Sequence, residues 1–142
     1  MTDVRRISSG AAWEPIIGYS RAVVAGPFIE VSGSAAPVVD GEVEGGGDPY
    51  QQTLACLRVI GAALEQAGAS FADVIRTRMF VTDISRWEEF GRAHGEIFGD
   101  IRPATAMVEV SALIDPRMLV EIEATAYLGS AVDGGSAPGS SA

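Results

Sequence analysis

Apolar residues recur along this chain at two periods, and the changes from one to the other mark out its elements. Residues 105–110 alternate at the two-residue period of a strand, with Ala106, Val108 and Val110 on one side and Thr105, Met107 and Glu109 on the other. Residues 119–127 alternate as well: Val120, Ile122, Ala124 and Ala126 share one face, and Leu119, Glu121, Glu123, Thr125 and Tyr127 the other. Two carboxylates therefore stand two residues apart on one side of a strand, as either a solvated face or the lining of a cleft. Residues 74–82 read as a third strand, with Arg76 and Arg78 on the face opposite Ile75, Thr77, Met79 and Val81. A solvated or interface-rim stripe is the plainer reading of those arginines, a paired anion clamp the sharper one. Residues 19–25 and 28–33 read as strands parted by the turn dipeptide Gly26-Pro27. Asp40-Gly41, inside residues 37–43, is a two-residue hairpin signal. Residues 1–9 carry no period and fit a loose or edge segment.

Twice the period lengthens to that of a helix. After Gly45-Gly46-Gly47, Asp48 is placed to cap, Pro49 suits a first turn, and Gln51 stands three after the cap, the spacing of a capping box. Leu54, Leu57, Ile60, Gly61 and Leu64 line one face, and Gly68 stops the helix. A second helix is expected to start near Ser85, with Glu88 three residues on as a reciprocal cap, Trp87, Phe90, His94 and Ile97 as its stripe, and Gly99 at its end. The order strands, helix, strand, helix, strand, strand predicts an α+β fold, a two-layer sandwich of a mixed β-sheet with two helices on one face. Residues 1–128 are expected to form one domain, and residues 129–142 a disordered tail of Gly, Ser and Ala.

Charge narrows the partners. Against 19 acidic residues stand 10 basic ones, for a net charge of −9, and every basic residue is an arginine, none of them clustered. Affinity for nucleic acid comes mostly from neutralising phosphates with Lys and Arg, so no nucleic-acid partner is expected. No apolar run approaches the roughly 18 residues that span a bilayer, so no membrane partner is expected either. No basic start leads into an apolar run, and the single cysteine, Cys56, forbids an intrachain disulfide; both suit a cytoplasmic protein. A chain of 142 residues builds one sizeable core, and small domains of this composition often finish burying their apolar faces by oligomerising.

Side chains that carry chemistry are sparse. His94 is the only histidine and Cys56 its only soft companion, so neither a metal site nor a cofactor is expected. His94 could serve as a base near neutral pH, but it falls on the apolar stripe, where a packed and hydrogen-bonded histidine is commoner. Cys56, inside the first helix, reads as a small packing residue. No Gly-x-Ser-x-Gly elbow occurs, and the triple glycine lacks the Lys-(Ser/Thr) ending of a phosphate loop.

The stretch RPATAMVEV followed by LVEIEATA resembles the C-terminal signature of the Rid (reactive intermediate deaminase, also called YjgF) family. Its usual form is Pro-Ala-Arg-(Ser/Thr)-x-Val-x-Val, a link, and (Val/Ile)-Glu-Ile-Glu-Ala. The likeness covers roughly residues 16–128. Gly18-Tyr19-Ser20-Arg21-Ala22 is similar to the family's Pro-Tyr-Ser-Gln-Ala, which puts Tyr19 at a pocket tyrosine and Arg21 at a glutamine. Ser32-Gly33-Ser34 is similar to its Ser-Gly-Gln. Glu121 matches the glutamate associated with the attacking water, Gly91 falls where many relatives have asparagine, and His94 replaces an aromatic, usually tyrosine. Thr105 and Met107 stand where the deaminases carry their substrate-binding arginine and often a cysteine. The resemblance implies a chorismate-mutase-like fold and a homotrimer with small-molecule clefts between subunits, each lined by two chains.

Thr105 changes what that resemblance implies for activity. A 2-imino acid needs an anchor for its carboxylate, a positioned water and a proton shuttle. A guanidinium anchors through two charge-assisted bonds; a threonine offers one neutral hydroxyl. The difference is worth on the order of 100-fold in binding and orientation. Arg21, and less so Arg102, is a candidate replacement. The reading is therefore a trimer that binds a neutral or cationic small molecule without the usual 2-imino acid chemistry. The alternatives are an imine, enamine or related C–N hydrolase using Glu121, and a chaperone-like interaction protein.

Overall fold

A computed structural model of the chain describes residues 4–129. The tail expected at residues 129–142 lies outside them except for Gly129. In chain order the elements are β1 (Val4–Ile7), β2 (Ala22–Ala25), β3 (Phe28–Ser34), β4 (Val38–Val39), β5 (Glu42–Val43), α1 (Pro49–Gln66), β6 (Val74–Val81), α2 (Trp87–Phe98), β7 (Ala104–Glu109) and β8 (Val120–Tyr127). Six strands form one sheet in the order β1-β2-β3-β8-β6-β7, and β4 pairs with β5 as a separate hairpin. Within the sheet only β6 and β7 run parallel, joined through α2; the other neighbours are antiparallel. The fold is the expected α+β sandwich of a mixed sheet with two helices on one face.

Hydrophobic burial between the two layers holds them together. Ile29 and Val31 of β3, Met79 and Val81 of β6, and Val120, Ile122, Ala124 and Ala126 of β8 point inward. They meet Leu57, Ile60 and Leu64 of α1 and Phe90 and Phe98 of α2. Each large side chain so buried contributes about 1.5–3 kcal/mol. The eight-residue alternation of β8 follows the sequence reading throughout. Cys56 is fully buried in α1, and burial pushes its thiol pKa far up, which suits packing and not nucleophilic attack.

Local chemistry sets several boundaries. Asp40 and Gly41 both have positive φ, 53° and 78°, the left-handed pair that a tight two-residue hairpin turn requires. Asp48 caps α1 by accepting from the backbone N–H groups of Tyr50 (2.9 Å) and Gln51 (3.3 Å). The reciprocal bond from Gln51 does not form, so only half of the expected capping box is present. The next residue, Gln52, turns inward instead. Its amide donates to the Gly46 and Arg117 carbonyls, and its carbonyl accepts from Leu119 N–H, tying α1 to the start of β8.

Several expectations are corrected. Residues 19–21 precede β2, because the chain first makes a π-helical turn, Glu14–Gly18. Of the two expectations for residues 1–9, the edge segment holds for residues 4–7, which form the edge strand β1. A register shift between Val74 and Arg76 bulges Ile75 out, 47% exposed, so Val74 and not Ile75 joins the inward face of β6. α2 begins at Trp87, after a 3₁₀ turn capped by Asp83, which accepts from the Ser85 N–H (3.0 Å) and hydroxyl (2.6 Å). On β7 the alternating apolar side, Ala106 and Val108, lies on the open face of the sheet, and Thr105 and Met107 turn toward the helices. No helix among the described residues is long and apolar enough to cross a membrane.

Candidate functional site

Five of the residues singled out in the sequence gather where the chain enters β2 and where β3 meets β8. β3 carries a register shift between Val31 and Ser34, and Gly33 lies inside it. A side chain at 33 would overlap the Glu121 carboxylate, so the glycine is what admits Glu121 to this position. Arg21 is nine-tenths buried; its Nη2 donates to the Gly33 carbonyl (2.5 Å), and its guanidinium lies 5.9 Å from the centre of the Tyr19 ring. The Arg21 Nε is buried without a partner. Ser32 donates its hydroxyl to the Ser20 carbonyl at 2.6 Å, stitching the Tyr19 segment to β3. Tyr19, Arg21, Ser32, Gly33 and Glu121 thus form one continuous group.

Electrostatics make Glu121 the unusual member. Half-burial raises its pKa above the ordinary carboxyl value, Glu123 on the same face adds to the rise, and Arg21 opposes it. A carboxyl moved toward neutrality is suited to exchanging protons at working pH. Arg21 counters that charge from a buried position, and its side-chain bond to the Gly33 carbonyl holds the β3 backbone. Arg102, exposed and with φ of 58°, caps α2 through its backbone N–H to the Phe98 carbonyl (2.8 Å) and stands apart from this group.

Beside the group opens a broad depression of about 840 Å³, lined by Arg6, Ser8, Glu14, Tyr19, Ser20 and Ser32 among others. Glu14, at the start of the π turn, is a residue the sequence reading missed. It is buried, and it accepts from the Ser8 hydroxyl (2.8 Å), the Ser9 N–H (3.1 Å) and the Ser9 hydroxyl (2.5 Å). Those bonds, Ser9's first, hold its carboxylate below the usual range against the opposing effect of burial. Nothing in the surrounding Ser-Ser-Gly-Ala-Ala-Trp-Glu run marks it beforehand.

The remaining three residues lie elsewhere. Thr105 and Met107 are on β7, the opposite edge of the sheet from β1, and Gly91 is on the outer helix α2. A side chain at Gly91 would meet only Trp87, at an ordinary 3.8 Å. Thr105 bonds to Thr77 of β6 (Oγ1–Oγ1 2.8 Å), and Thr77 in turn to His94 Nε2 (2.9 Å). His94 stacks at 4.6 Å against Phe98, and burial lowers its pKa. It is packed and hydrogen-bonded, as its place on the stripe predicts. A buried polar Thr77 on an apolar strand face was the one available sign of this contact.

The single chain does not bring the two groups together. Register places Phe80 between Glu121 and Val108, so β6 separates β8 from β7, and Thr77, not Phe80, stands beside Thr105. Two strand spacings and three residues of rise give about 14 Å between Glu121 and Thr105, with their side chains on opposite faces of the sheet. Among the described residues no group of three His, Cys, Asp or Glu is placed to hold a metal ion.

Comparison with known proteins fits this architecture. A family model described as Endoribonuclease L-PSP matches residues 9–128. An uncharacterised protein of Streptomyces coelicolor is 41% identical over 89% of this chain and 94% of its own. A RutC family protein of Pyrococcus abyssi is 38% identical over 80% of this chain and 89% of its own. Among solved structures, a member of the YjgF/YER057c/UK114 family from Mycobacterium tuberculosis is 52% identical with a TM-score of 0.81, covering 88% of this chain and 99% of that one. A protein of unknown function from Pseudomonas aeruginosa is 34% identical with a TM-score of 0.78, covering 90% and 94%.

Proposed function

The chain belongs to the YjgF/Rid family, and from that premise we propose that it assembles into a homotrimer whose clefts, each built from two subunits, bind a small molecule. The observation that carries this reading is the split site. Tyr19, Arg21, Ser32, Gly33 and Glu121 form one half on β2, β3 and β8, while Gly91, Thr105 and Met107 form the other on α2 and β7. Residues about 14 Å apart on opposite sheet faces line one cleft only if a second copy supplies the missing half. The open face of the sheet, with Phe28, Val108 and Tyr127 exposed, provides apolar surface for such contacts.

The standard 2-imino acid chemistry is absent from this proposal. Thr105 offers one neutral hydroxyl, and the Arg21 guanidinium donates to the Gly33 carbonyl, so neither supplies the usual anchor for a substrate carboxylate. Nucleic acid is left out as well, because the chain has a net charge of −9 and no lysine. A cytoplasmic location fits the lone buried thiol. A second reading, hydrolysis of an imine, enamine or related C–N bond, is favoured by one observation: Glu121 is half-buried with a raised pKa, poised to hold and deprotonate water.

The test is the decay of freshly generated 2-iminopropanoate with wild type, Glu121→Gln and Thr105→Arg. An inert wild type and an active Thr105→Arg support the ligand-binding reading, with one side chain responsible for the loss. Acceleration by wild type that disappears in Glu121→Gln supports the hydrolase. Client-protein binding indifferent to Glu121, Thr105 and Gly91 would replace both with an interaction protein.

A further inference from the structure

The contact between β6, β7 and α2 holds a chain of hydrogen bonds that the half-site description above leaves unused. His94 Nε2 lies 2.9 Å from the Thr77 hydroxyl, which lies 2.8 Å from the Thr105 hydroxyl, which lies 3.2 Å from the Pro103 carbonyl. Its inner end is half-buried, Thr77 is completely buried, and its outer end, Thr105, is exposed on the edge strand. Each hydroxyl has one proton, so the direction of the chain is set at its ends. Pro103 can only accept. If Thr105 donates there, Thr77 donates to Thr105, and His94 must supply an N–H to Thr77. The reverse direction, Thr105 to Thr77 to His94 Nε2, also gives each hydroxyl proton an acceptor but leaves the Thr105–Pro103 contact unmade, and that contact favours the outward one. Burial lowers the imidazole's pKa and so favours the neutral ring, in which one nitrogen carries the hydrogen and the other does not.

We propose that His94, Thr77 and Thr105 form an outward-pointing hydrogen-bond relay that makes Thr105 the ligand-recognising donor of its half of the cleft, specific for a neutral carbonyl oxygen such as that of an amide. The proposal rests on the two-subunit cleft described above. Hydrogen bonds in series polarise one another, so a hydroxyl backed by a second hydroxyl and an N–H is a stronger donor than an isolated threonine. The bond it makes at rest, to Pro103 at 3.2 Å, is the longest of the three and the first to yield when a better-placed carbonyl arrives. No cation stands in the relay, so a carboxylate finds no ion pair there to offset the acidic field of a chain with net charge −9. His94 and Thr77 are positioning residues; only Thr105 touches the ligand.

The test uses the full-length protein, in which His94 is the sole imidazole and gives one unambiguous signal. Long-range ¹H–¹⁵N spectra at pH 8 are expected to show the Nε2–H tautomer in wild type and in Thr105→Ser. In Thr105→Val the Thr77 hydroxyl loses its outer acceptor and turns to His94, so the tautomer should change to Nδ1–H although residue 105 does not touch the ring. An Nδ1–H wild type, or a tautomer indifferent to Thr105→Val, overturns the relay. Titration with 2-oxobutanamide and 2-oxobutanoate then tests recognition. The amide is expected to bind more tightly than the acid, to move the Nε2 resonance, and to bind about fivefold more weakly to Thr105→Val, with Thr105→Ser near wild type. An amide that binds but ignores Thr105→Val, or an acid that binds more tightly, overturns the recognition proposal and leaves the cleft standing. If neither probe binds, the recognition proposal and the cleft reading fall together.

Discussion

Glu121 is where sequence and environment combine most directly. Strand alternation places it beside Glu123 on the open face, and its neighbours then raise its pKa: half-burial first, Glu123 next. A carboxyl whose folded pKa lies above its unfolded value favours the fold while protonated. That contribution is complete below the unfolded pKa, near 4.5, and is lost as pH rises through the folded value. Glu121→Gln should therefore raise stability at pH 7, by about 0.5 kcal/mol after allowance for solvent screening, and the gain should vanish below about pH 4. Urea midpoints at the two pH values measure this, and a destabilised variant at pH 7 would contradict it. Glu14 behaves oppositely. The Ser9 and Ser8 bonds lower its pKa, so its contribution is present above the unfolded value and is lost as pH falls through the folded one. Glu14→Gln should cost about 1 kcal/mol at pH 7 through weakened hydrogen bonds, with the difference closing in acid. The sequence singled out Glu121 through a motif; Glu14 was invisible there, because its partners are common serines in an aperiodic loop.

Among the elements, what could be read in advance is what local chemistry determines. The Asp40-Gly41 hairpin, the Asp48 cap and the alternation of β8 all depend on residues within a few positions of one another, and each is found in the structure. β7 is undecided in the sequence because alternation says that two faces differ without saying which one is covered. In the structure it is an edge strand whose helix-facing side holds Thr105 and Met107, with Ala106 and Val108 on the open face. The bulge at Ile75 and the link from His94 to Thr77 arise from pairing with distant strands, which no window of sequence contains. α2 gives a prediction of its own. Gly91 sits mid-helix with room for a methyl group, so Gly91→Ala should stabilise the folded chain by about 0.5–1 kcal/mol. If the same position lines the cleft, that variant should be more stable and bind the amide probe less well. A stability loss in urea unfolding would mean that the helix surface is covered differently.

For the whole molecule, the acidic charge, the single cysteine and the family signature all entered from sequence, while the division of the site appears only in three dimensions. Family motifs name residues without saying which share a chain's own pocket. Here they separate into a carboxylate group, with Glu121 admitted by Gly33 and Arg21 bonded to the Gly33 carbonyl, and a hydroxyl group, with Thr105 backed by Thr77 and His94. The first holds the carboxyl with a raised pKa, and the second holds a hydroxyl donor backed by a packed histidine. Joining them across subunits reconciles the motif with the geometry.

The most direct measurement is an isotope-filtered NOE experiment on mixed samples, half of the chains carrying ¹³C-methyl methionine and the other half carrying labelled tyrosine. The account predicts cross-peaks between the Met107 methyl of one chain and the Tyr19 ring of another, in a particle of about three times the chain mass. A monomeric particle, or a trimer in which Met107 and Tyr19 show no contact between chains, would contradict it.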